Sequence, residues 1–234
     1  MVAEGLARVV PLHGANSRRL VALHPSLAGR YTSLVAAVAP RVEATLSPFV
    51  LANRVVASCV DPPTLRLRPW REERAAFSSR LAGLAAGERC LVFADVRECY
   101  PSIRPDVVGR SLAEIGCEAA SSAAVVAFLD RLEEHGVRGL PIGPDPSPVL
   151  ANAVLAPLDR ELAFLGVGHL RWVDDVVVGV GGRDEAERVL ALLRQELDRL
   201  GLRLNEDKTR IVVDPASAQD VTTISLARRL VPVG

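Results

Sequence analysis

The sequence predicts an α+β fold, a small antiparallel sheet with helices packed on one face. Three observations carry this. The run Arg171-Trp172-Val173-Asp174-Asp175-Val176-Val177-Val178-Gly179 places apolar strand residues on both sides of two adjacent acids, the pattern of a β-hairpin with carboxylates at its tip. A second short apolar run, Leu91-Val92-Phe93-Ala94-Asp95-Val96, ends in a single acid. From that run onward, the periodic segments follow in the order β-α-α-α-β-β-α-β.

Along the chain, residues 30 to 47 read as a helix interrupted near Pro40, and Asn53 to Val60 as a strand closed by an Asp61-Pro62-Pro63 turn. A basic stretch, Arg66, Arg68, Arg71 and Arg74, runs into a helix over about 70 to 86 that should stop at Gly87. After the Asp95 strand, Pro105 opens a helix reaching Ile115, with Gly116 as its stop. Residues 119 to 134 form the next helix. The glycine- and proline-rich segment Gly136 to Pro148 is a loop, and Ser147 is placed to cap a helix from about 149 to 165. Two strands flank the acid pair, Asp184 to Leu200 is an amphipathic helix, and Arg210 to Val213 gives one more strand.

A chain of 234 residues, 49% hydrophobic, can bury a substantial core, enough for one large domain or two small ones. Cys59, Cys90, Cys99 and Cys117 show no CxxC spacing, which argues against a zinc site and a disulfide framework. The start of the chain lacks a charged segment followed by an apolar core, and the longest weakly polar run, Ala119 to Leu129, is too short to cross a bilayer. A soluble, cytoplasmic protein without a membrane partner is the expectation. Formal net charge is zero, but residues 1 to 90 carry 12 Arg against 6 acids, and residues 91 to 234 carry 16 Lys and Arg against 22 acids. A basic first part beside an acidic second part suits a nucleic-acid enzyme.

Two acids at a tight turn repel each other and gain nothing structural from adjacency, so the pair makes sense when divalent cations sit between them. Alone, such a pair is more often a solvated turn. The third acid, Asp95, changes that balance, because two neighbouring strands would bring three carboxylates together. Tyr100 follows five residues later, where its ring would lie beside a sugar whose phosphates the metal holds and exclude a 2′-hydroxyl by contact. The segment Gly139-Leu140-Pro141-Ile142-Gly143-Pro144-Asp145-Pro146-Ser147-Pro148-Val149-Leu150-Ala151-Asn152 lets backbone approach a ligand closely. Gly201 to Thr209 holds Lys208, the one lysine beside 27 arginines, suited to giving up a proton as a guanidinium is not.

Taken in order and spacing, these four segments resemble the palm of reverse transcriptases. Phe93 to Ile103 resembles the first catalytic motif, Gly139 to Asn152 with Asp159 downstream the template-and-nucleotide motif, Trp172-Val173-Asp174-Asp175 the Tyr-x-Asp-Asp box, and Gly201 to Thr209 the lysine-bearing motif. The match is clear over residues 91 to 213; Asn53-Arg54-Val55 and the helix at Trp70 are more loosely similar to the fingers of bacterial members. The resemblance implies an N-terminal extension and fingers-like region over 1–90, a palm over 91–214 and a tail over 215–234. It implies DNA polymerisation from dNTPs on a nucleic-acid or protein primer, with RNA and/or DNA as partner. It also implies two Mg²⁺ ions, replaceable by Mn²⁺, on Asp95, Asp174 and Asp175 with the Val96 carbonyl, and Lys208 near the triphosphate. Tyr100 would be the gate against ribonucleotides, Gly143, Arg66, Arg68 and Arg71 would contact the nucleotide or template, and Pro141, Ser147, Asn152 and Trp172 would line template and primer.

Two departures matter. Ile142 stands where many members have Gln, and Trp172 where they have Tyr. The Leu-Pro-Ile-Gly-Pro version is similar to the reverse transcriptases of bacterial abortive-infection and antiviral defence systems, some of which polymerise without a template, so templated and untemplated synthesis both stay open. The chain ends about twenty residues after the last motif, which leaves a thumb to be supplied by a homo-oligomer or a partner protein. Two rivals are kept. An RNA-dependent RNA polymerase would want a polar group at position 100, and a palm kept as the scaffold or regulatory subunit of a nucleic-acid-binding complex would not need three acids.

Overall fold

A computed structural model describes residues 7–11, 19–56 and 64–216. The elements in chain order are β1 (Ala7–Pro11), β2 (Arg19–Leu23), α1 (Pro25–Thr45), α2 (Trp70–Gly87), β3 (Cys90–Asp95), α3 (Cys99–Ser102), α4 (Pro105–Glu114), α5 (Ala119–Glu134), α6 (Pro146–Phe164), β4 (His169–Trp172), β5 (Asp175–Val180), α7 (Arg183–Arg199) and β6 (Arg210–Val213). The mixed class and the small antiparallel sheet are those expected. The chain divides into two compact units, each gathered from separate segments.

The first unit comprises residues 1–46, 53–68 and 98–156. Here β1 and β2 pair antiparallel, a hairpin that the sequence reading did not anticipate. Helix α1 begins at Pro25, with Pro at its first position and the His24 ring accepting from the Ser26 amide at 3.4 Å, and it runs through Pro40 without a break. An internal proline costs a helix on the order of 3 kcal/mol. The buried face of Tyr31, Val35, Val38, Ala39 and Val42 offsets that cost, so the expected interruption does not occur. Tyr31 stacks on Phe128 of α5 at 5.0 Å. Gly116 ends α4 at φ +76°, where an added Cβ would lie 2.9 Å from the Arg41 guanidinium.

Two other expectations in this unit are corrected. Of the strand expected over Asn53 to Val60, the described part is one bridge, Val55 to Leu67, flanked by Val56 N to Arg66 O and Arg68 N to Arg54 O, both 2.8 Å. The Glu43 carboxylate fastens this bridge, accepting from Arg54 Nε at 2.9 Å and the Val55 amide at 2.9 Å. The remaining residues of that strand and the Asp61-Pro62-Pro63 turn lie outside the described residues. Ser147 does not cap α6, which starts at Pro146. Its hydroxyl is instead buried against the Tyr31 hydroxyl at 3.0 Å.

The second unit comprises residues 47–52, 69–97 and 157–234. Its sheet has the order β4-β5-β3-β6, every pair antiparallel. All six residues of β3 are buried, so its run is apolar throughout rather than alternating. Leu91, Phe93, Val177 and Leu170 point to one face and form a core with Phe77, Leu81 and Ala85 of α2. Gly179 is required on that face, since a Cβ there would stand 2.5 Å from the Glu88 side chain and 2.8 Å from Leu84. Helix α7 turns Ala186, Val189, Leu190, Leu193 and Leu197 inward and lies against β3 and β5. Among the described residues no helix is long and apolar enough to cross a membrane.

Ser147→Ala should destabilise the protein by about 1 to 3 kcal/mol in urea unfolding, because it strands the buried Tyr31 hydroxyl. Adding Tyr31→Phe should restore most of that loss. A double variant as unstable as the single would show that the pair is not the reason Ser147 is buried.

Candidate active site

The site grows from the period of the strands. Asp95 lies two residues beyond Phe93, Asp175 two before Val177 and Trp172 two beyond Leu170, so all three share the face that packs on α2, at its end. Register places Asp95 directly opposite Asp175, and Asp175 opposite Trp172. Directly opposed residues carry Cβ atoms roughly 4.5–5.5 Å apart. Asp174 occupies the two-residue turn between the paired Trp172 and Asp175, and its carbonyl accepts from the Val96 amide at 3.1 Å. Val173, the other turn residue, sits at φ +57°, a region that β-branched residues avoid.

Asp95 is 3% exposed. Asn205 holds it twice, its amide N–H donating to the Asp95 carbonyl at 2.7 Å and its side-chain Nδ2 to Oδ1 at 2.9 Å. The Lys208 ammonium stands 3.7 Å from the same Oδ1. The first and last motifs meet here along a hydrogen-bonded ladder in which Arg97 N also donates to Arg203 O at 2.8 Å and Val96 bridges to Leu204. On α2, Phe77 meets Trp172 edge-on at 5.5 Å, and Arg74, one turn earlier, places its guanidinium 5.7 Å over the Trp172 ring. Burial lowers the Arg74 pKa, and the charge of Asp175 opposes that shift. As the side chains stand, no three His, Cys, Asp or Glu among the described residues form a metal-holding cluster. The acids were expected to converge as three; two are in register and the third is in the turn. Carboxylate oxygens are hard donors of the kind that hard divalent cations take.

Behind the turn lies a feature that the sequence reading missed. Arg171 is fully buried and grips Asp159 of α6, Nε to both carboxylate oxygens at 3.0 Å and Nη2 to Oδ2 at 2.8 Å. Its Nη1 donates to the Val173 carbonyl at 3.0 Å. His169 is buried, its Nδ1 3.5 Å from the Val167 carbonyl and its Nε2 3.9 Å from Asp159 Oδ1 without a hydrogen-bond partner. Burial depresses its pKa, outweighing the opposing pull of Asp159.

The other expected residues fall as follows. Tyr100 lies half-buried in α3, its carbonyl accepting from the Leu140 amide at 2.9 Å. Gly139 is needed there: at φ +63° its Cβ would sit 2.6 Å from the Tyr100 and Pro101 carbonyls. Gly143 is exposed at φ +121°, and the Ile142 carbonyl accepts from the Val21 amide of β2 at 2.8 Å. Pro141, Ser147 and Asn152 are buried and do not present their side chains to solvent. Arg66 and Arg68 are exposed on the Val55 bridge in the first unit, and Arg71 is exposed on the first turn of α2 in the second.

A four-stranded antiparallel sheet whose central pair ends in opposed acids is the palm fold. The chain belongs to the reverse transcriptase (RNA-dependent DNA polymerase) family, whose model matches residues 13–224. It is 29% identical over 157 residues to the retron Mx65 reverse transcriptase of Myxococcus xanthus, covering 60% of this chain and 36% of that one. Solved structures of similar fold include apo telomerase from Candida tropicalis, with TM-score 0.56 and 11% identity over 91% of this chain and 45% of that one. Telomerase from Candida albicans in complex with a TWJ fragment of telomeric RNA gives TM-score 0.54 and 12% identity, over 89% and 41%. The chain thus spans less than half the length of each of these relatives.

Because the folded His169 pKa lies below the unfolded value, the unfolded chain binds more protons as pH falls from about 6.5 toward that lower value, and stability present at neutral pH is lost there. Melting temperature should therefore fall on acidification through this window, and His169→Phe should flatten that part of the curve. An unchanged acid limb in the variant would remove His169 as its source.

Proposed function

We propose that the chain transfers deoxynucleotides to a 3′-hydroxyl as a reverse-transcriptase-like DNA polymerase, with residues 91–214 as its palm. The observation that carries this is the register that sets Asp95 against Asp175 beside the Asp174 turn, with Lys208 on Asp95. In this reading Asp95, Asp174 and Asp175, with the Val96 carbonyl, hold two Mg²⁺ ions. When bound, such a pair lowers the pKa of the attacking hydroxyl and neutralises the leaving pyrophosphate. The protein's own part is positioning and charge: Asn205 holds the rotamer of Asp95, and Lys208, whose ammonium stands 3.7 Å from that carboxylate, gives a proton to the departing phosphate. Trp172, backed by Phe77 and Arg74, offers an aromatic face to the primer end. Tyr100 and Gly143 meet the incoming dNTP, and Arg66, Arg68 and Arg71 supply phosphate contacts. Buried Pro141, Ser147 and Asn152 act on the template and nucleotide through the shape of the loop and of α6. A cytoplasmic role in antiviral defence fits the likeness to a retron reverse transcriptase. A homo-oligomer or partner protein shares in holding the duplex in this reading.

Purified protein should incorporate dNTPs with Mg²⁺ or Mn²⁺, and Asp95→Ala or Asp174→Ala should eliminate incorporation without loss of fold. Full-strength incorporation by Asp174→Asn would sink the assignment.

Tyr100→Ala should admit ribonucleotides, read as the ratio of rNTP to dNTP incorporation. If Tyr100 only filled the core, the variant would instead lose roughly 3 to 5 kcal/mol of stability and keep its sugar preference.

A further inference from the structure

We propose that Arg171 is a positioning residue for the metal-site acids: it spends one side of its guanidinium on Asp159 and uses the other to hold the carbonyl of Val173, fixing the strained turn from which Asp174 and Asp175 project. The inference rests on the reading of those two acids as metal ligands.

The fork is what makes the arrangement possible. A guanidinium has donors in fixed directions, so once Nε and Nη2 are bound to Asp159 the direction of Nη1 is set. Neither end of this strut is loose. Asp159 is 2% exposed within α6, and the Arg171 backbone is tied on both sides, its amide to Phe49 O at 2.9 Å and its carbonyl to Leu51 N at 3.0 Å.

The turn needs such a strut. Glycine would take the left-handed conformation at position 173 without strain, yet the chain has valine there, held at φ +57°. Left alone, the peptide between Val173 and Asp174 would rotate toward an unstrained φ and swing Asp174 with it. Two bonds oppose that rotation, Arg171 Nη1 to the Val173 carbonyl at 3.0 Å and Val96 N to the Asp174 carbonyl at 3.1 Å. Packing alone does not explain the pair, since a buried ion pair is commonly matched in stability by apolar side chains of similar volume.

The test measures Mn²⁺ binding directly, by the electron paramagnetic resonance signal of free Mn²⁺, alongside thermal melting and dNTP incorporation as a function of Mg²⁺. The variants are Arg171→Lys, which keeps the charge but not the fork, and Arg171→Met with Asp159→Leu, which replaces the pair by apolar groups. Both should bind Mn²⁺ about 10-fold or more weakly while melting cooperatively, in line with the effect of residues that orient metal ligands. Val173→Gly added to Arg171→Lys should recover several-fold of that affinity, because the turn no longer stores strain. A folded Met/Leu variant that binds Mn²⁺ as wild type does would overturn the proposal, and so would the absence of any recovery with Val173→Gly. If wild type itself shows no Mn²⁺ binding sensitive to Asp174→Ala, the metal-site reading fails and the proposal with it, a result distinct from failure of the strut alone.

Discussion

Everything at this site depends on one register, the antiparallel pairing that sets Asp95 opposite Asp175. Side chains along a strand alternate, so a slip of one residue in β3 would send Phe93 away from α2 and turn Asp95 off the face that Asp175 keeps. The apolar rows therefore specify the polar end: burial of Leu91, Phe93, Leu170 and Val177 against Phe77, Leu81 and Ala85 leaves only one place for the acids. The same helix then places Arg74 by spacing alone, three residues before Phe77 and so one turn nearer the acids. Core and site are one pattern, and neither could be moved without the other.

The buried Arg171–Asp159 pair obeys a different logic. Taking two charges out of water is expensive, and their attraction returns the cost only when the geometry is good and the remaining donors are satisfied. Here the contacts are bidentate and a third donor reaches the Val173 carbonyl. His169 shows the other side of the same environment: 3.9 Å from the carboxylate, it stays below its ordinary pKa because burial penalises the imidazolium more than Asp159 favours it.

How much of this could be read from the chain alone follows the range of the interactions. Helix 119–134 and strand 210–213 were legible to the residue, because periodicity and stop signals are local. Pro40 misled, since a local rule about proline was overridden by the packing of α1. Ser147 misled likewise: a hydroxyl before a helix reads as a cap, but its partner is Tyr31, 116 residues away. The acids and the lysine were visible as residue types in order. Asn205, which fixes Asp95 from 110 residues downstream, and Arg171, beside Trp172 in the same strand, carried no local signal of their roles. Buried polar contacts of long range are what a single sequence hides best.

Two partners of Asp95, Lys208 and Asn205, differ in kind, and the difference matters for what the proposed cation must displace. Lys208 is half exposed and 3.7 Å away, so its attraction is largely screened and costs side-chain entropy to maintain. Asn205 is the tighter partner, a neutral amide that donates to Oδ1 at 2.9 Å. A neutral donor sets the rotamer of this carboxylate beside a cation that is easily moved aside. That combination suits a ligand kept ready for a divalent ion better than a carboxylate kept for structure, which would be expected to resemble Asp159, buried and locked in a bidentate ion pair.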